Sequence, residues 1–161
     1  MLAKGDEFPA WELVSDSGET IHSKDLLGLR YVMYFYPKDS TPGCTTEACE
    51  FTALYPKFTL RNVPVFGVSA DSTASHQRFI TNNGLKVKLL SDPDKEFAKT
   101  VGAFGEKKLY GKTVIGSIRS TFIIGKDGRV EEALYNVKAK GHAEKVLDLM
   151  MSHFRTDDGQ F

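Results

Sequence analysis

Residues 30–49 read RYVMYFYPKDSTPGCTTEAC, and the fold follows from how this stretch divides. Its opening, RYVMYFY at 30–36, is aromatic and aliphatic with almost no polar member. Such a run predicts a strand buried on both faces. Residues 37–43 form a loop rich in turn formers. From Thr45 to Leu60 the spacing of Ala48, Phe51, Thr52, Tyr55 and Phe58 suits a helix, and Pro56 is expected to kink or weaken its second half. Cys44 therefore follows a buried strand and a Pro-Gly turn and opens a helix.

Outward from this centre, strands and helices alternate. Trp11 to Val14, the turn signal Asp16-Ser17-Gly18-Glu19 and Thr20-Ile21-His22 predict an N-terminal hairpin. Ser23 to Leu27 reads as a brief helical turn opened by a serine cap. Residues 63–69 (VPVFGVS) give the next strand. A helix over 73–82 is capped by Ser72 and closed by Gly84. Leu89-Leu90 is a short strand, and residues 94–99 form a short helix after Pro93. Residues 102–117 carry four glycines and read as an irregular excursion. Lys126-Asp127-Gly128 joins strands at 120–124 and 130–135. A final amphipathic helix spans 143–154, with Val146, Leu147, Met150 and Met151 on one side. This order predicts an α/β, thioredoxin-like fold: a central mixed sheet flanked by helices, with an N-terminal β-hairpin. One domain covers 1–154, and a polar tail covers 155–161.

The chain has 161 residues, 21 Lys plus Arg and 21 Asp plus Glu. Zero net charge gives no electrostatic footprint for nucleic acid or an anionic membrane. No apolar run approaches the roughly 20 residues of a membrane helix. The first residues lack the apolar stretch of a secretory signal, which favours the cytoplasm. The only two cysteines, Cys44 and Cys49, are too few for a disulfide scaffold, and a bridge between them would close a tiny loop. A zinc site needs three or four ligands, and no paired His cluster accompanies the cysteines. Neither metal nor cofactor is expected.

Thiolate is the nucleophilic form of cysteine, and a helix N-terminus favours the anion through unpaired N–H groups and the macrodipole. Thr41, three residues earlier, offers a hydroxyl to the sulfur or to a substrate oxygen. Pro37 and Pro42 stiffen the loop. When such a thiolate attacks a substrate, negative charge grows on the leaving atom and fixed donors must meet it. The N–H groups of Gly43 and Cys44 are candidates, together with Thr41. Arg119 supplies a cation, since it begins a predicted buried strand where a charge needs a reason to exist.

Pro37, Thr41 and Cys44 reproduce the spacing P-x-x-x-T-x-x-C of peroxiredoxins, and FYPKDSTPGCTTEAC resembles the Q-type branch, or bacterioferritin comigratory protein. GEKKLYG at 105–111 and RSTF at 119–122 extend the similarity over nearly the whole chain. The resemblance implies that Cys44 is the peroxidatic cysteine and Cys49 the resolving one. It gives Thr41 and Arg119 activating roles and makes Pro37 a shielding residue. It also implies reduction of hydrogen peroxide and organic hydroperoxides, recycling by thioredoxin or a similar dithiol, and a monomer. Phe51-Thr52-Ala53 and Ala103-Phe104 depart from the branch, which often has Arg-Asp after the phenylalanine and Val-Trp at the second place. A thiol–disulfide oxidoreductase is the first alternative, although its cysteines usually stand as C-x-x-C. A redox sensor on the same fold is the second.

Other polar residues receive blander readings. Glu47 is expected to form a capping pair at the helix start, and Lys38 and Asp39 a solvated loop edge. His22, His76, His142 and His153 are expected at the surface or in packing.

Overall fold

The structure is a computed structural model and describes residues 1–158. The strand expected at 30–36 is β3, Tyr31–Phe35, and all five of its side chains are buried. Alternation sends Val32 and Tyr34 into one hydrophobic cluster and Tyr31, Met33 and Phe35 into another, on opposite faces of the sheet. Around it lie β1 (Glu12–Ser15), β2 (Thr20–His22), β4 (Val65–Ser69), β5 (Lys88–Ser91), β8 (Ser120–Ile124) and β9 (Val130–Leu134). They form a mixed sheet ordered β2-β1-β5-β4-β3-β8-β9. β3, β4 and β5 run parallel, and β8 is antiparallel to β3.

Helices cover both faces. On the Val32 and Tyr34 side, α1 (Pro42–Leu60) and α4 (His142–Asp158) contribute Ala48, Phe51, Phe58, Val146 and Met150, and α2 (Thr73–Asn83) contributes Phe79. On the other side α3 (Glu96–Val101) packs Phe97, Ala98 and Val101 against Phe8 and Trp11. This is the expected thioredoxin-like layering. The caps of α2 are as expected: Ser72 Oγ accepts from the Ser75 N–H at 3.2 Å, and Gly84 closes the helix at φ 60°.

Five local expectations change. Residues 23–26 form a 3₁₀ turn without a serine cap, because Ser23 Oγ accepts from the Trp11 N–H at 2.9 Å. The helix after Pro93 starts only at Glu96, since Asp94 and Lys95 are left-handed, and the Asp92 carboxylate caps it through the Phe97 and Ala98 N–H groups. The excursion at 102–117 is a regular two-stranded hairpin, β6 (Phe104–Leu109) and β7 (Lys112–Ser117). Its two turn residues, Tyr110 and Gly111, have φ 52° and 77°, the signs a two-residue primed turn requires. Helix α1 runs unbroken through Pro56, which is exposed. The polar residues at 155–158 continue α4, anchored where Arg30 Nη2 donates to Asp157 Oδ2 at 2.9 Å and its guanidinium lies over Phe154. Residues 159–161 of the expected tail lie outside the described residues.

Gly67 in β4 shows how tightly this core closes. A Cβ there would lie 2.7 Å from Tyr34 Oη and 2.9 Å from Leu89 Cδ2. Gly67→Ala should destabilise the fold by about 1–3 kcal/mol in urea unfolding, and an unchanged midpoint would mean that Tyr34 swings aside freely.

Candidate active site

Helix α1 begins on an extended Thr41 N-cap, so Pro42, Gly43 and Cys44 are its first three residues. Pro42 suits the first position, where an N–H has no partner to lose. The Thr45 N–H and Oγ1 both donate to the Thr41 carbonyl, at 2.9 and 2.8 Å. The N–H groups of Gly43 and Cys44 have no acceptor within the helix. Cys44 is 2% exposed, and its sulfur sits at the positive end of the helix.

Strand register brings the cation to it. Phe35, the last residue of β3, pairs with Ser120, the first of β8. Arg119 therefore stands at the same end of the sheet as the 37–44 segment. Its Nη2 donates to Cys44 Sγ at 3.4 Å, and its Nη1 donates to Glu47 Oε1 at 2.6 Å. Glu47 lies three residues beyond Cys44 on α1 and is fully buried. A Cβ on Gly43 would sit 3.3 Å from Arg119 Nη2, so glycine here lets the guanidinium approach.

The electrostatics are those of a shared cation. Burial works against the charge of Arg119, but Glu47 and the Cys44 sulfur outweigh it and push its pKa up. Burial also pushes Glu47 up to about 7, against the pull of Arg119. His142, buried beside Phe51 and paired with Thr121 Oγ1 at 2.7 Å, is pushed down to about 4 by burial, Lys145 and Arg119. It is neutral near pH 7 and does not compete with Arg119 as a cation.

The structure thus brings Cys44, Gly43 and Arg119 together. Thr41 joins them at the helix start, but its hydroxyl donates to the Lys38 carbonyl at 2.9 Å instead of to the sulfur. Pro37 lies half-buried at the exit of β3. Cys49 is half-buried on α1 against the same core, and both cysteines are free thiols. Glu47 is not a cap: Thr41 makes no capping bond with its side chain, and a half-buried Arg119 takes the carboxylate as its counter-charge. Asp39 is buried too, not part of a solvated edge. Glu47 was readable only as a carboxylate one turn after Cys44; its partner lies 72 residues away.

Known proteins share this arrangement's frame. The AhpC/TSA family pattern matches residues 4–133. A Bcp peroxiredoxin of Helicobacter pylori is 51% identical over 147 residues, 91% of this chain and 97% of its own. The chain belongs to the AhpC/TSA family, in its Bcp or Q-type peroxiredoxin branch. Peroxiredoxin Bcp of Bacillus subtilis is 40% identical over 91% of this chain and 93% of its own. The solved structure of the Xanthomonas campestris bacterioferritin comigratory protein, studied for alkyl peroxide reduction, superposes with a TM-score of 0.86 at 39% identity. It covers 94% of this peroxiredoxin and 99% of its own chain. No described helix is long and apolar enough to cross a membrane.

An acid whose pKa is higher in the folded chain than in the unfolded one holds its proton more tightly when folded. Glu47 therefore contributes stability below its ordinary 4.5 and loses that contribution as pH rises through about 7. The stability of the wild type relative to Glu47→Gln should fall between about pH 5 and about pH 8, by on the order of 3 kcal/mol. Urea unfolding of both proteins at the two pH values measures it. A difference that grows with pH would show the Arg119 ion pair outweighing burial.

Proposed function

We propose that this protein reduces hydrogen peroxide and organic hydroperoxides through attack by Cys44. The observation that carries the reading is the Arg119 guanidinium 3.4 Å from a buried sulfur at the start of α1. The Cys44 thiolate displaces the distal oxygen of the peroxide. One S–O bond forms, the O–O bond breaks, and the departing oxygen leaves as water or an alcohol after taking a proton. Arg119 and the Gly43 and Cys44 N–H groups meet the charge on the departing oxygen. With its own proton on Lys38 O, the Thr41 hydroxyl is free to accept the peroxide O–H. Pro37 stiffens and shields the loop.

Cys44 is left as a sulfenic acid, and the Cys49 thiol condenses with it to a disulfide and water. Five residues of helix rise about 7.5 Å and leave the two side chains about 140° apart in direction. The two Cα atoms are then roughly 8–9 Å apart, beyond the limit of about 7 Å for a disulfide. The start of α1 must therefore unwind. The exposed disulfide is recycled by thioredoxin or a similar dithiol protein, and a cytoplasmic enzyme suits this cycle, since such donors are kept reduced there. Both cysteines lie in one chain, so a monomer suffices.

Steady-state turnover with thioredoxin and its reductase tests the activity: Cys44→Ser should abolish it, and a folded Cys44→Ser protein that still turns over would end the reading. In rapid mixing with peroxide, Arg119→Lys should slow Cys44 oxidation less than Arg119→Met, because lysine keeps the charge and loses the fork. An unchanged rate in the Met variant would leave Arg119 a structural role. Amide exchange over residues 44–54 should be slow when reduced and much faster once mass spectrometry finds the Cys44–Cys49 disulfide. Equal protection in both states would refute the unwinding.

A further inference from the structure

The loop that delivers Cys44 is short and held under strain. Residues 37–41 carry the chain from β3 to α1, and Ser40 adopts a left-handed φ of 64°. A residue in that region keeps its shape only where the surroundings over-determine it. A buried polar cluster apart from Cys44, Arg119 and Glu47 does so here. The Asp39 N–H donates to Asp71 Oδ2 at 2.8 Å, and Ser69 Oγ donates to the same oxygen at 2.7 Å. The Asp39 carboxylate accepts from Tyr36 Oη at 2.6 Å, Ser75 Oγ at 2.8 Å and His76 Nδ1 at 2.7 Å. His76 is fully buried, and its Nε2 donates to the Leu90 carbonyl at 3.1 Å.

Both ring nitrogens of His76 face groups without a proton to give, a carboxylate and a carbonyl. Both are placed to donate. Burial pushes Asp39 up, but its bonds to His76, Tyr36 and Ser75 outweigh burial and hold it below the usual carboxylate range. The pair is buried and hydrogen-bonded at every polar atom just named, and removing either partner strands the other. The partners of Asp39 beyond Tyr36 belong to α2 and to Asp71 in the segment before it, Asp71 is tied in turn to Ser69 of β4, and His76 reaches on to β5. None belongs to α1.

We propose that Asp39 and His76 are a positioning pair for the peroxide reaction. They fix the 37–41 loop to α2 and β5, so that Thr41 and Cys44 are presented in one geometry. They stay paired when the start of α1 unwinds, and so form the fixed N-terminal boundary of that unwinding. The inference rests on Cys44 being the peroxide-reactive residue.

Rapid mixing of the reduced protein with hydrogen peroxide, alongside thermal unfolding, tests it. His76→Leu strands the Asp39 carboxylate, and it should slow Cys44 oxidation by roughly 10²-fold while the protein is still folded. His76→Asn restores an amide donor to Asp39 and should recover at least about tenfold of that loss. Should the Leu variant not fold, Asp39→Asn carries the same test through its own rate. Nitrogen NMR of wild-type His76 should show both ring nitrogens protonated in the reduced and the disulfide forms. A folded His76→Leu or Asp39→Asn protein that reacts at the wild-type rate overturns the positioning role. A His76 signature that disappears on disulfide formation overturns the boundary. Wild-type protein inert to peroxide overturns the peroxidase reading itself, and is told apart by that control alone.

Discussion

A guanidinium held against a buried sulfur is the interaction on which the rest of the site depends. Arg119 has a side chain only 16% exposed, so its charge has lost most of its water and needs other partners. Glu47 and Cys44 are those partners, each taking one terminal nitrogen of the same planar group. The fork geometry of arginine makes this division possible, whereas a lysine ammonium brings a point charge. Glycine at position 43, the Phe35–Ser120 register and the placement of Cys44 and Glu47 one turn apart on α1 all bring these three groups together.

The same helix has two duties that pull in opposite directions. Its first turn must be ordered to aim Cys44, yet the proposed disulfide requires that turn to come apart. Packing distributes these duties along its length. Phe51 stacks on Tyr34 with centroids 4.7 Å apart, and its edge meets His142. Phe58 is fully buried further on. Exposing a buried phenylalanine costs about 2–3 kcal/mol, so unwinding that stops before Phe51 is far cheaper than unwinding through it. Cys49 lies on the cheaper side of that barrier. These aromatic contacts limit the spread of disorder at an earlier point than Pro56, which is exposed and leaves the helix unbroken.

Features set by local chemistry were legible in the sequence. The RYVMYFY strand, the Ser72 and Gly84 caps and the turn at Lys126-Asp127-Gly128 each depend on residues within one element. Cys44 and Arg119 were legible for a related reason: a cysteine after a Pro-Gly turn and a charge at the head of a buried strand both stand out locally. The β6–β7 hairpin was not, because its turn puts Tyr110 in a left-handed position where asparagine or aspartate is the usual signal. Glu47 and Asp39 failed for another reason. A carboxylate near a loop or helix start is ordinarily solvated or a cap, and only a partner far along the chain changes that. Those partners, Arg119 and His76, are 72 and 37 residues away.

The charges around the loop now balance in a particular way. The Asp39 carboxylate is matched inside the loop's anchor by three donors, Tyr36, Ser75 and His76. Arg119 and Glu47 cancel when Glu47 is ionised, and the sulfur must then share a cation with a carboxylate. Burial lifts Glu47 to about 7, so near neutral pH a good part of it is protonated and withdraws from that competition. The full charge of Arg119 then faces the sulfur. Glu47 and Cys44 thus share a single guanidinium. The buried carboxylate holds Arg119 in place in either state, through a charged bond when ionised and a carbonyl acceptor when not. That is how one side chain can fix the cation without neutralising it.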